Sequence, residues 1–284
     1  MRLVFPFRDR SLGVAAAWMV PALLTIVVAS SMLTRGLRPD LPAAPPLGQA
    51  WMATPNTVEA IGSGDERVAR LFFGGPTSYV LGGGWASASP TMAWASGRSF
   101  EVALAQGTIP AGVRVVMYDP EAWVETPTWE QRHPGRAMQI FSDVAHEAGY
   151  RVVLTPHPGL VDVSGASCSR AADESIAAAF IRCRIIGEAA RLGDVVEVQA
   201  QFLEADPAVY RDLVQRATEQ ARAANPDVVV LAGLSTRFAS DPQVLLDAWQ
   251  AVSDVVDGHY MAVPEGFHAN VATGFLRMLA ERGA

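Results

Sequence analysis

Residues 194–201 read DVVEVQAQ, and residues 151–157 read RVVLTPH. Side chains alternate faces along a strand. In the first stretch Val196, Val198 and Ala200 therefore form one row, and Glu197, Gln199 and Gln201 the other. In the second, Val152 and Leu154 oppose Arg151, Thr155 and His157. An open sheet covered by helices on both faces would bury each polar row against apolar side chains, which costs several kcal/mol unless every group finds a partner. The lumen of a closed barrel gathers such rows, lets them satisfy one another and leads them to its mouth. The expected fold is an α/β, TIM-like (β/α) barrel. Because the chain before residue 110 reads as irregular, the number of regular units is left open at eight or fewer.

The flanking sequence supports parallel βα units. Strand-like runs are read at 68–73 (VARLFF), 78–83, 113–119, 151–157, 194–201, 227–235 and 257–265. Helical spacing is read at 99–107, 135–149, 173–191, 207–224, 242–254 and 270–282. Strands alternating with helices of this length build parallel sheets. A dinucleotide fold would need G-x-G-x-x-G between a first strand and its helix. GSGDER at 62–67 lacks the third glycine and follows no strand, and LGGGWASASP leads into no helix.

Composition narrows the chemistry. The chain has 284 residues, half of them hydrophobic, and a net charge of −7. Nucleic-acid binding relies on basic surface, so no nucleic-acid partner is expected. All 22 basic residues are arginine. Without a primary amine there is no Schiff-base lysine, P-loop lysine or Ser-Lys dyad.

Arg2, Arg8 and Arg10 precede an uncharged stretch from Ser11 to Thr34. As a helix it is long enough to cross ~30 Å of hydrocarbon. Residues 1–10 are read as a short cytoplasmic segment, 11–34 as a transmembrane or signal-anchor helix, 35–60 as a Pro/Ala-rich tether and 61–284 as the barrel domain. An uncleaved anchor is favoured; Val27-Val28-Ala29 would also suit a signal peptidase, which would release a secreted domain. Either way the main domain is expected outside the cytoplasm. Cys168 and Cys183 are the only cysteines, and in an oxidising compartment such a pair is expected to form a disulfide.

The runs VMYDPEAWVETPTWEQRHP, DVVEVQAQ and VDGHYMAVP resemble a family of actinobacterial exported proteins with a TIM-barrel-like domain. The resemblance extends in layout over roughly residues 65–282 and implies an exported barrel. It carries over no catalytic residue.

Active sites of parallel barrels lie at the C-terminal ends of the strands. Those ends offer Asp119 and Glu121, His157, Gln199, Gln201 and Glu204, then Ser235, Thr236 and Arg237, and last Glu265 and His268. We read Asp119, Glu121 and Glu265 as catalytic candidates. Tyr118, Trp123, His157, Gln199, Gln201 and Tyr260 are ligand-binding candidates. Carboxylates beside aromatic platforms suit glycans, whose hydrolysis uses two carboxyl groups in one cleft. The expected function is a hydrolase acting on a glycan or similar polar ligand; a non-catalytic envelope protein that binds such a ligand would carry the same residue types. Glu197 reads as a structural partner for an inward arginine, Arg151 or Arg114, in preference to a general acid. No cofactor is expected, and no HxH, HExxH or DxD spacing points to a metal. No G-x-S-x-G elbow is found.

The dipeptide Asp-Pro occurs at Asp119, Asp206 and Asp241. The second and third precede amphipathic helices, where Asp caps and Pro starts the first turn. After Asp119 no such helix is expected, which singles it out.

Overall fold

Ala50–Ala53 (β1) pairs in parallel with Tyr79–Leu81 (β2) on one side and with Gly258–Ala262 (β8) on the other, and the second pairing closes the sheet. The computed structural model describes residues 49–82, 85–265 and 267–283. Between these strands run Ser89–Trp94 (β3), Val115–Tyr118 (β4), Arg151–Leu154 (β5), Val195–Val198 (β6) and Val229–Ser235 (β7). The order around the closed barrel is the order in the chain, β1 to β8, with every neighbour parallel. Eight strands with helices between them make a TIM-like barrel with a full complement of strands.

Pro55–Gly64 (α1) and Glu66–Phe73 (α2) follow β1, and Gly97–Gln106 (α3) follows β3. Thr128–Arg132 (α4) and Pro134–Glu147 (α5) follow β4, while Ile176–Arg182 (α6) and Ile185–Leu192 (α7) follow β5. Pro207–Ala224 (α8), Pro242–Val252 (α9) and Ala269–Glu281 (α10) complete the last three units. Among the described residues no helix separates β2 from β3.

Several boundaries differ from the sequence reading. The barrel begins at Ala50, inside the stretch read as tether to residue 60; the prolines nearby hide a four-residue strand. Thr54 then caps α1, accepting from the Thr57 amide, with Pro55 in the first turn. VARLFF is helix α2 and not a strand. Asp65 caps it by accepting from the Val68 amide, and Val68, Ala69, Phe72 and Phe73 bury one helical face while Leu71 is exposed. A six-residue apolar run alone does not reveal its period. The helix read over 173–191 is two helices, broken where Arg184 takes a left-handed φ of 55°. SPTMAW, unassigned in the sequence, is β3.

Alternation divides the core into two. Trp51, Val80, Val116, Val152, Val196, Val230 and Met261 point outward into the layer shared with the helices. Met52, Tyr79, Leu81, Val115, Met117, Val153, Val195 and Leu231 fill the lumen. The lower lumen is a packed plug, as in other barrels of this kind, and the polar residues sit above it. Closure demands a glycine at 258, because a Cβ there would overlap the Ala50 backbone.

Cys168 and Cys183 are disulfide-bonded, 15 residues apart in sequence. The bond ties the loop after β5 to the α6–α7 break, and a loop of this length is stabilised by about 3 kcal/mol. The stretch 11–34 lies outside the described residues; among those described, no helix is long and apolar enough to cross a membrane.

His259 points outward from β8 and is fully buried, its ring 5.4 Å from that of Trp51 and 6.3 Å from that of Trp249. Neither ring nitrogen has a hydrogen-bond partner. Burial lowers its pKa to about 3. The unfolded chain takes up this proton as pH falls below its ordinary value near 6.5, whereas the folded protein does not until about pH 3. Stability is therefore full above the unfolded value and is lost as pH falls towards the folded one. His259→Leu is expected to flatten this loss by an amount on the order of a few kcal/mol. Denaturant midpoints of both proteins between neutral and acid pH check it; parallel curves would refute the assignment.

Candidate active site

β4 ends with Met117 turned into the lumen, Tyr118 turned out and Asp119 turned in again, following the alternation of strand faces. Tyr118 is fully buried, stacks on Phe141 at 5.0 Å between ring centroids and donates its hydroxyl to Glu130 at 2.7 Å. It is a core residue and not the ligand contact expected from the sequence. Met117, on the other parity, lines the pocket.

Asp119 caps no helix. Its Oδ1 accepts from the Thr155 hydroxyl at 2.7 Å and from Gln199 Nε2 at 2.9 Å. Gln199 also donates to the Thr155 carbonyl at 2.7 Å. Three strands, β4, β5 and β6, thus hold one carboxylate oxygen and leave Oδ2 for a ligand. The other two Asp-Pro pairs behave as helix starts: Asp206 accepts from the Ala208 and Val209 amides, and Asp241 from that of Gln243.

The chain after Asp119 is held by Thr126, whose hydroxyl donates to the Ala95 carbonyl at 2.8 Å. The same oxygen accepts from the Glu121 amide at 3.2 Å and from Trp123 Nε1 at 2.9 Å. Gln131 Nε2 donates to the Trp123 and Thr126 carbonyls. This braced loop carries Glu121 over the lumen. Trp123 braces the loop instead of lining the pocket.

The pocket that results has a volume of about 220 Å³. Asp119, Glu121, His157, Gln199, Gln201 and Tyr260 all line it, with Glu197, Ser235, Arg237, Phe202 and Phe238. Glu265 is exposed and Glu204 is buried elsewhere, so neither joins the carboxyl group cluster. Glu204 Oε1 instead accepts from the Ser235 amide at 2.6 Å, and burial raises its pKa to about 9.

Electrostatics follow from enclosure. Burial raises Asp119 to about 6 against the lowering effect of its bonds from Thr155 and Gln199. Burial, and then repulsion from Asp119, raises Glu121 to about 7, with Arg237 opposing. Burial lowers the pKa of His157, and its Nδ1 accepts from the Gly159 amide at 2.9 Å. That bond places the proton of the neutral ring on Nε2. Among the described residues no group of three or more His, Cys, Asp or Glu side chains is arranged to hold a metal ion.

Glu197 meets neither expected arginine. Val153 is level with Val195, so Arg151 lies below Glu197 by four residues, about 13 Å at ~3.3 Å each. Arg114 Nη1 donates to the Val113 carbonyl. Glu197 Oε1 has no partner, although the residue is only 2% exposed. The strand parity that placed Glu197 inward was readable; the missing partner depends on register. Arg237 and Phe202 were read near strand ends without a role, and Phe238 carried no local signature.

The fold and pocket define a (β/α) barrel with a carboxyl-rich site at the C-terminal ends of its strands. No protein-family model matches the chain, and no curated protein matches it. Solved structures with a similar layout include an archaeal fructose-1,6-bisphosphate aldolase, 16% identical with a TM-score of 0.46, the match covering 84% of this chain and 95% of that one. Another is the triosephosphate isomerase of Bartonella henselae, 10% identical with a TM-score of 0.40 over 81% of this chain and 99% of the other. An alpha-L-fucosidase candidate from Bacteroides thetaiotaomicron is 11% identical with a TM-score of 0.42; the match covers 64% of this chain and 60% of that protein's length. Likeness at this level carries no argument about chemistry.

Gly233 faces the lumen from β7, and a Cβ there would lie 2.5 Å from Gln201 Oε1 and 2.6 Å from Glu197 Oε1. Gly233→Ala is expected to displace both side chains and cost about 1–3 kcal/mol, as overpacking does. Chemical denaturation measures it; an unchanged midpoint would show that the floor of the pocket yields freely.

Proposed function

We propose that the protein is a hydrolase acting on a glycan or similar polar ligand, held outside the cytoplasm by its N-terminal segment. The observation that carries the reading is the pair Asp119 and Glu121. The two carboxyl groups share one pocket, and both are raised to within about a unit of neutrality. Groups with pKa values near the working pH are the effective acids and bases. In this reading Asp119 works as the carboxylate, because Thr155 and Gln199 fix one oxygen and leave the other for a water or substrate. The rings of Phe202, Phe238 and Tyr260 supply faces for a sugar ring, and the Nε2–H of His157 can donate to a hydroxyl.

The location rests on three supports. The disulfide between Cys168 and Cys183 favours an oxidising compartment. The uncharged stretch 11–34 has the length of an anchor. The resemblance to exported actinobacterial proteins points the same way.

Purified full-length protein is expected to cleave members of a panel of polysaccharides and oligosaccharides, with products read by chromatography. Asp119→Asn is expected to lower kcat/KM by about 10²–10⁴-fold and Glu121→Gln to lower it less, since acid–base groups contribute on that scale. The wild-type rate should rise through pH 6 as Asp119 loses its proton. Retained activity in Asp119→Asn would refute the assignment. Ligand binding without turnover would replace hydrolysis by the non-catalytic binding reading.

A further inference from the structure

The floor of the pocket has an unusual inventory. Glu197 Oε1 and Gln201 Oε1 both reach the space in front of Gly233 and neither has a partner. Two oxygens that only accept would repel each other there. A proton on the Glu197 carboxyl turns that repulsion into an attraction; turning the Gln201 amide would do so too, but would leave a carboxylate charge buried with no cation against it. The charged groups around Glu197 enforce the same state. Asp119 and Glu121 face it from β4 and its loop, and both disfavour a negative charge on it. His157 lines the site from β5, its pKa lowered by burial. Tyr210 from α8 and Tyr260 from β8 stay neutral phenols, their own ionisation opposed first by burial. Among the described residues that line the pocket the one cation is Arg237, which is exposed at the rim and acts on Glu121.

We infer that Glu197 carries the proton of this site: it stands in the pocket as a neutral carboxylic acid and donates to the leaving-group oxygen of the bound glycoside. The inference rests on the hydrolase reading and adds to it the acid that Asp119 and Glu121 leave unassigned. The Glu197 O–H bond breaks and its proton passes to the glycosidic oxygen. The bond from that oxygen to the anomeric carbon breaks, and its electron pair stays on the oxygen. A water molecule bonds to the anomeric carbon through its oxygen and gives one proton to the Asp119 carboxylate. Glycoside and water become two hydroxyl products, and the proton on Asp119 returns to Glu197 through solvent.

Glu197→Gln keeps the shape of the side chain and removes the proton. Full-length wild type and variant are to be compared on methyl and 4-nitrophenyl glycosides of the common hexoses and pentoses. A methoxide leaving group needs protonation, whereas 4-nitrophenolate leaves without it. The variant should lose about 10²–10⁴-fold on methyl glycosides, the contribution of a general acid, and far less on 4-nitrophenyl glycosides. Equal loss on both, or no loss, overturns the inference, since a merely structural role would affect both alike. An infrared difference spectrum of the unliganded proteins at neutral pH gives a readout without turnover. Glu204 contributes a protonated-carboxyl band to both proteins; a further band of this kind, lost in the Glu197→Gln minus wild-type difference, is expected, and a difference spectrum without that loss overturns the inference. If the wild type hydrolyses nothing while that band is present, the hydrolase reading fails and the neutral acid stands.

Discussion

β8 has to come close enough to β1 to share a ladder with it, and at one point that is possible only because residue 258 has no side chain. Gly258 lies against Ala50, where a Cβ would overlap the backbone. Everything at the mouth depends on this contact. Only a closed ring gives the sheet an inside, and only an inside lets polar rows from separate strands meet. Asp119 after β4, Thr155 after β5 and Gln199 after β6 form one hydrogen-bonded unit for that reason.

The lumen is layered by solvent access. Its lower part is dry and apolar, with Met52, Tyr79, Leu81, Val115, Met117, Val153, Val195 and Leu231 packed together. The carboxyl groups rest on this plug, cut off from water below and open to it above. Their raised pKa values come first from that enclosure, and for Glu121 and Glu197 second from neighbouring carboxyl groups. The order matters for function, because enclosure persists whatever the charge state of a neighbour.

The barrel was legible where a single strand carries both rows. In DVVEVQAQ and RVVLTPH the apolar and polar residues separate by parity, and the structure puts them on opposite faces as read. The same parity applied to VRVVMYD would have turned Tyr118 away from the lumen and Met117 into it. Short strands flanked by proline, such as AWMA, hid because four residues cannot display a period. Helix α2 was misread because its cap, Asp65, lay outside the apolar run. The Asp-Pro comparison set Asp119 apart, and the structure shows the difference it rested on: the other two pairs start helices and this one does not. Glu197 was placed on the right face but given the wrong neighbours: strand parity is local, whereas the height of Arg151 relative to Glu197 depends on the register between two strands.

The described residues that line the pocket come from β4 to β8 and the loops that follow them, and none from β1 to β3. The ring is therefore divided in its tolerance of change. In the first three strands a substitution is constrained by packing and closure alone, so any residue of suitable size and polarity serves. In the other five, a side chain can fit well and still change the pocket. Variation accumulating in a lineage of such chains would be expected to distribute unevenly around the barrel, broad on one side of its axis and narrow on the other.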